Sequence, residues 1–301
     1  MSILSRERNA ESGLFRGCPY NRKMKEALFY QKKFDGSAIC LLCPHGCRIP
    51  LGGIGFCGAR VNVGGALIAE SYGHISSLAL DPIEKKPLNR FFPGSLILSA
   101  GGYGCNMKCT YCQNYTISQQ MPETKYTSPE ELLQIAKNTE GNIGVAFTYN
   151  EPVIGIEYIL DTAPLVRDTG LKTVMVTNGM INDEALEALL PHIDAMNIDV
   201  KAFDEEKYEK LGGDLATVKR TVKKCAAACH VEITALIVPG QNDASEDMRA
   251  LTEWLAGVSP EIPLHITRFF PRYRMPEGEP TPAATMKALA ESARKILKYV
   301  Y

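Results

Sequence analysis

The sequence has no surplus of charge of either sign: 33 lysines and arginines stand against 34 aspartates and glutamates, for a formal net charge of −1. That balance supplies no electrostatic footprint for a nucleic acid or an anionic membrane surface, so neither is expected as a partner. A long apolar run is also missing. No stretch approaches the roughly 20 residues that a membrane-spanning helix needs, and the opening Met1-Ser-Ile-Leu-Ser-Arg-Glu-Arg contains no apolar segment that reads as a signal peptide. These absences point to a cytoplasmic globular protein, and 301 residues that are 45% hydrophobic suffice for one large domain or two. Residues 1–23 lack periodicity and read as a loosely docked extension. From Met24 to about Phe92 a helical period is missing as well. Short β-like runs at 27–30, 66–69 and 74–78 are punctuated by Gly and Pro, so this part cannot build a good core alone.

Cysteine is what the chain has in excess. Seven of its ten cysteines fall into two tight groups, Cys40, Cys43, Cys47 and Cys57, then Cys105, Cys109 and Cys112. In a reducing compartment such grouping favours metal sites over disulfides. The first group offers four soft ligands with Gly46, Gly55 and Gly58 between them, which suits a closed zinc site or an iron-sulfur cluster alike. A metal there would staple the poorly cored module. His45 lies within the group as a fifth donor where four cysteines suffice. The second group follows a β-like run on a Gly-bearing loop, Gly104-Cys105-Asn106-Met107-Lys108-Cys109-Thr110-Tyr111-Cys112. Three thiolates do not fill a structural zinc shell. They can hold three irons of a [4Fe-4S] cube and leave the fourth open to a substrate or cosubstrate.

That C-x3-C-x2-C spacing, with Tyr111 before its last cysteine, resembles the signature of radical S-adenosylmethionine (SAM) enzymes. Cys40-Leu-Leu-Cys43-Pro-His-Gly-Cys47, Asp81-Pro-Ile-Glu-Lys-Lys-Pro87 and Gly104-Cys105-Asn106 are similar to the AmmeMemoRadiSam-system branch, relatives of the pyruvate formate-lyase activating enzymes. The resemblance runs from about Met24 to the end of the chain.

From Leu96 onward strand and helix alternate. Strands are expected at 96–100, 143–148, 172–177, 195–200, 231–238 and 264–269. Ser128-Pro-Glu-Glu131 reads as a capping box, Ser245-Glu-Asp and Thr281-Pro open further helices, and Met286, Leu289, Ala293, Ile296 and Leu297 give the last one an apolar face. Six β-α units imply an α/β fold with a parallel, helix-covered sheet, an open (βα)6 partial TIM-type barrel, which the resemblance also implies. The expected layout is an extension at 1–23, a Cys-rich, mainly β metal-binding module at 24–95, and the barrel at 96–301. Asp81-Pro-Ile-Glu-Lys-Lys-Pro87 reads as an extended connector whose charges are solvated, with Lys85 or Lys86 facing the cluster pocket as the alternative.

Ligands of such barrels sit at the C-terminal strand ends, and polar motifs collect there: Thr148-Tyr-Asn-Glu-Pro152, Thr177-Asn-Gly179 and Asn197-Ile-Asp-Val-Lys201. The resemblance implies that Cys105, Cys109 and Cys112 ligate the cluster, while Tyr111 meets the adenine. It implies Asn150 and Glu151 for the SAM ammonium, Lys201 beside Asp199 for the carboxylate, and Asn178 for the ribose. On their own these last residues also read as a salt bridge and a helix cap. Tyr149-Asn150-Glu151 departs from the family's Gly-Gly-Glu, which carries Glu151 over more securely than Asn150. Cys225 and Cys229 read as buried small residues, and His265 and Arg268 face either core or substrate. The implied activity is reductive SAM cleavage to a 5′-deoxyadenosyl radical that takes a hydrogen from a substrate. An electron donor such as flavodoxin or ferredoxin would feed it. The substrate is a protein, as for glycyl-radical activating enzymes, or a small molecule; a non-catalytic electron carrier is the reading from another class.

Overall fold

The computed structural model describes residues 24–301; the extension expected at 1–23, with Cys18, lies outside the described residues. Seven strands form the largest sheet: β1 (Ser77–Pro82), β2 (Leu96–Gly101), β3 (Asn142–Phe147), β4 (Lys172–Thr177), β5 (Ala195–Asp199), β6 (His230–Ile237) and β7 (Leu264–Arg268), paired in simple chain order. β2 to β7 run parallel, and β1 lies antiparallel along the free edge of β2. Each of the six expected strands is present, its ends shifted by one residue at most. They form because apolar residues run almost unbroken through them, as a sheet covered on both faces requires. The sheet curls into the partial barrel of the TIM type.

Helices α1 (Pro129–Asn138), α2 (Ile156–Arg167), α3 (Asp183–Leu189), α4 (Leu215–Ala226), α5 (Ser245–Val258) and α6 (Ala283–Ala293) connect or flank the strands. The Ser128 hydroxyl accepts from the Glu131 amide at 3.2 Å and the Glu131 carboxylate from the Ser128 amide at 2.7 Å, completing the expected capping box. Ser245 is the first helical residue of α5 and caps nothing. α6 stops at Ala293, before Ile296 and Leu297. The chain leaves the helix there to run beside β7, where Leu264 and Ile266 donate to the carbonyls of Tyr299 and Tyr301.

The N-terminal part contains two small antiparallel sheets, Tyr30–Lys32 with Ala38–Cys40 and Arg48–Ile49, and Lys25–Glu26 with Ala66–Ala69 and Arg60–Val63. The run at 27–30 is not one strand. It bends between Lys25–Glu26 and Tyr30–Lys32 because its amides turn elsewhere: Ala27 donates to the Leu67 carbonyl and Leu28 to Glu157 of α2.

The stretch after β1 is no solvated connector. Ile83–Lys85 is a 3-10 turn, and Ile83 and Leu88 are fully buried against Ile97, Ala146, Val174 and Ala195, one residue from each of β2 to β5. Asn197 of β5 donates to the Pro87 carbonyl at 2.8 Å, while Glu232 of β6 accepts from the amides of Asn89 and Arg90. The segment thus fills the inside of the sheet, and with that filling the polar strand ends remain as the place for a ligand.

Candidate active site

A cavity of about 320 Å3 opens at the C-terminal ends of the parallel strands. The loop after β2 brings Cys105, Cys109, Tyr111 and Cys112 to it; the end of β3 brings Asn150 and Glu151, β4 brings Asn178, and β5 brings Asp199 and Lys201. All nine residues expected in the barrel site therefore line one space. Thr267 and Arg268 of β7 close the far side. Among the described residues lining it there is no fourth cysteine and no histidine.

Glu151 is 3% exposed and its carboxylate is heavily used. Oε1 accepts from the Thr177 hydroxyl at 2.7 Å and the Val153 amide at 3.0 Å, and Oε2 from the Asn178 amide at 2.8 Å. Burial pushes its pKa up to about 7, against the opposing pull of those donors. Asn150 acts as a strut for the cysteine loop: Oδ1 accepts from the Gly102 amide at 2.9 Å, and Nδ2 donates to the Gly104 carbonyl at 3.2 Å. Asn178 spends both N–H bonds, on Asn106 Oδ1 at 2.9 Å and on Cys105 Sγ at 3.7 Å. A ribose contact from it would rest on Oδ1, which already accepts from the Met180 amide at 2.9 Å.

Lys201 pairs with Asp199 at 2.9 Å. Burial works against its charge, yet Asp199 and the neighbouring Cys109 hold its pKa well above the ordinary lysine value. The thiols lie at the other extreme. Burial pushes Cys109 up to about 11, only partly offset by Lys201, and pushes Cys105 well above the usual thiol range. Sulfurs so placed stay protonated unless a cation displaces the proton, as a coordinating metal does. Three thiols converging on one cavity, Cys109 buried and Cys105 and Cys112 half-buried, suit a metal cluster. A free nucleophilic cysteine needs its pKa lowered, not raised.

The sequence profile of the radical SAM superfamily matches residues 101–255, from the last residue of β2 into α5. The chain belongs to the radical SAM superfamily. It is 40% identical over 287 residues to an uncharacterized protein of Methanocaldococcus jannaschii, covering 92% of this chain and 84% of that one. Similarity to the pyruvate formate-lyase-activating enzyme of Clostridium pasteurianum is 25% identity over 162 residues, 52% of this chain and 67% of that enzyme. The chain spans about half the length of several other curated relatives it matches. A solved radical SAM methyltransferase from Sphaerobacter thermophilus superposes with a TM-score of 0.52 at 12% identity, over 70% of this chain and 67% of that one, a likeness of fold alone. Radical SAM members are enzymes that use a [4Fe-4S] cluster and SAM, and this branch is related to the pyruvate formate-lyase activating enzymes.

Some residues around this cavity escape a motif reading. Tyr149 takes a left-handed backbone, φ 73°. That conformation turns its carbonyl to Asn114 Nδ2 at 2.7 Å and its hydroxyl to Asp81 of β1. Lys86, 2% exposed, pairs with Asp81 at 2.9 Å and lies 4.5 Å from the centre of the Tyr149 ring, whereas Lys85 is exposed. The DPIEKK motif thus reaches the pocket through Tyr149. Its signal was the motif, but the partner lies 68 residues away. Asn106, fully buried, joins Asn178 to the Met180 carbonyl. His265 is a core residue, bonded to Glu232 at 2.6 Å and stacked on Tyr301. Among the described residues no helix is long and apolar enough to cross a membrane.

Proposed function

We propose that the chain is a radical SAM oxidoreductase in which Cys105, Cys109 and Cys112 hold the [4Fe-4S] cluster and SAM binds beside them. The observation that carries this reading is a three-sulfur donor set sharing one cavity with a carboxylate and an ammonium, Glu151 and Lys201. When bound, the cluster and SAM supply one-electron cleavage to methionine and a hydrogen-abstracting nucleoside radical. The residues of the chain bind and orient. Lys201 is the cation for the amino-acid carboxylate of SAM, and Asp199 holds the lysine head in place. Glu151 is the acceptor for the ammonium, Tyr111 the aromatic wall for the adenine, and Asn150 and Asn178 fix the loop and sulfur that the cofactor meets. Fixing every part of SAM is what lets one bond face the reductant.

The substrate is a segment of a protein chain, as for the activating enzymes, with flavodoxin or ferredoxin as electron donor. A cavity of about 320 Å3 is at the small end for a single ligand. Once SAM is in it, no enclosed space remains for a second small molecule, so the hydrogen donor approaches at the open mouth. The Cys-rich part that precedes β1, residues 24–76, carries a second metal site at Cys40, Cys43, Cys47 and Cys57, and the cytoplasm is the setting in which both thiol sets stay reduced.

Anaerobically reconstituted protein given SAM and dithionite should release 5′-deoxyadenosine, and Cys109→Ala should release none while keeping the circular dichroism of the parent. No turnover by the reconstituted parent would leave an electron carrier. Deuterium passing into 5′-deoxyadenosine from a labelled metabolite and from no peptide would assign a small-molecule substrate.

A further inference from the structure

The second cysteine group has its own cavity. Cys40, at the end of the strand Ala38–Cys40, and Cys47, just before Arg48–Ile49, are linked by the Cys40 amide donating to the Cys47 carbonyl at 2.9 Å. Together with Cys43 and Cys57 they line a space of about 10 Å3.

An independent observation comes from Arg60, which lines the same cavity and is 1% exposed. Its two terminal nitrogens are satisfied by Glu157, at 3.0 and 2.8 Å, and by the Ile154 carbonyl at 3.1 Å. Its Nε has no partner at all. A buried N–H left unpaired is costly, and Cys40 and Cys57 are the sulfurs whose charge bears on this guanidinium. A bound thiolate is the acceptor this donor lacks.

Size chooses the occupant. About 10 Å3 is the room of one atom-sized sphere, whereas the barrel cavity has about 320 Å3. An ion enclosed by four sulfurs needs no more, and a cube of four irons and four sulfides does not enter without opening the turns. We propose that Cys40, Cys43, Cys47 and Cys57 hold a single zinc ion, closed by four thiolates, with Arg60 Nε donating to one of the bound sulfurs. Four S–Zn bonds form as four S–H bonds release their protons to solvent, with no change of oxidation state. No group of three or more His, Cys, Asp or Glu side chains among the described residues is placed to hold a metal ion as it stands, so the four sulfurs must shift to close on one.

What the ion organises is the cluster loop. The Cys57 carbonyl accepts from the Cys105 amide at 3.2 Å, and His45 Nε2 bonds the Asn106 carbonyl at 2.8 Å. His45 is therefore a tie between the two cysteine groups and not a ligand of either. The ion stands independently of the reading of the barrel pocket; its ordering of the loop rests on that reading.

The full chain with Cys105, Cys109 and Cys112 all changed to Ala isolates this site. Metal analysis of that variant should find about one zinc per chain, and cobalt(II) in its place should give the absorption of a tetrahedral tetrathiolate. Adding Cys43→Ala should abolish both. Arg60→Lys keeps the charge but loses Nε, and should weaken zinc against a chromogenic chelator by about 10–100-fold. An absence of stoichiometric zinc in the triple variant, or iron and sulfide in cluster proportions there, overturns the assignment without touching the barrel reading. In the otherwise intact chain, Cys43→Ala should lower the iron retained after reconstitution. A complete barrel cluster without zinc would overturn the ordering role.

Discussion

Glu151 concentrates the chemistry of the site in one group. Its pKa, raised from 4.5 to about 7, means that the folded protein binds this proton more tightly than the unfolded chain does. The associated stability is complete below the unfolded value and is lost as pH rises through about 7. Binding of SAM reverses the preference, because an ammonium pairs only with the carboxylate. SAM affinity should therefore climb as pH rises toward 7 and level off above it, and Glu151→Gln should bind more weakly with a flat profile. Calorimetric titration across that range tests this, and a pH-independent dissociation constant in the parent would remove Glu151 from the ammonium site. Asp81 has the opposite sign. Although burial opposes it, the Tyr149 hydroxyl and Lys86 hold its pKa down at about 2, so its contribution is present above the usual carboxylate value and fades as pH falls through about 2. Burial pulls Lys86 down even with Asp81 beside it. Asp81→Asn would leave that ammonium unpaired. Breaking a buried pair costs about 3–5 kcal/mol, and the low end is expected because Lys86 can shed its proton. Urea unfolding should show the loss, and 5′-deoxyadenosine release should fall with it as Tyr149 loses its anchor. Unchanged stability would mean that the ion pair is incidental.

At the level of the element, the cysteine loop depends on glycine at one position. Gly104 has φ +85°, and a Cβ there would lie 2.6 Å from the Cys57 carbonyl oxygen and 2.8 Å from Ile154 Cδ1. The left-handed backbone and the collision with main chain act together, so Gly104→Ala should cost more than the ~1 kcal/mol of an ordinary positive-φ replacement. Iron content per chain after reconstitution should drop, and a full cluster in this variant would contradict the tight seat. The same loop shows what sequence alone reveals. Its cysteine spacing and the strand before it are local, as are the apolar runs of β2 to β7, and these were legible to within a residue. The small sheets were only partly so. Strands such as Lys25–Glu26 and Arg48–Ile49 are two residues long, and the bend at Leu28 is set by an acceptor 129 residues away. For the same reason the site residues could be placed on the rim while their partners could not. Asn150 and Asn178 look like free amides in sequence, but their hydrogen bonds reach back 46 and 72 residues to the cysteine loop.

Across the whole molecule, the contacts joining the N-terminal sheets to the barrel differ in weight. Lys25 pairs with Asp161 and Tyr72 bonds the same carboxylate, but the Lys25 and Asp161 side chains are about a third exposed. Surface pairs of that kind contribute about 0–1 kcal/mol. The Arg60–Glu157 pair is different, at 1% and 0% exposure, with Glu157 also accepting from Leu28. Glu157 sits in the first turn of α2, the helix that follows the strand-end loop carrying Glu151. A neutral Glu157→Gln leaves a guanidinium that cannot lose its proton, so none of the relief open to Lys86 is available. The loss should approach about 3–5 kcal/mol. If the N-terminal sheets and the barrel unfold as one unit, the single urea transition of Glu157→Gln moves to lower midpoint with the same slope. If the sheets dock as a separable unit, an early transition appears, proteases cut first within residues 24–76, and iron is lost in that early step because Cys57 no longer holds the Cys105 amide. An unmoved midpoint would show that the buried pair does not join the two parts, and the load would then fall on Asn182, whose backbone and side-chain N–H groups donate to the Leu42 and Leu41 carbonyls.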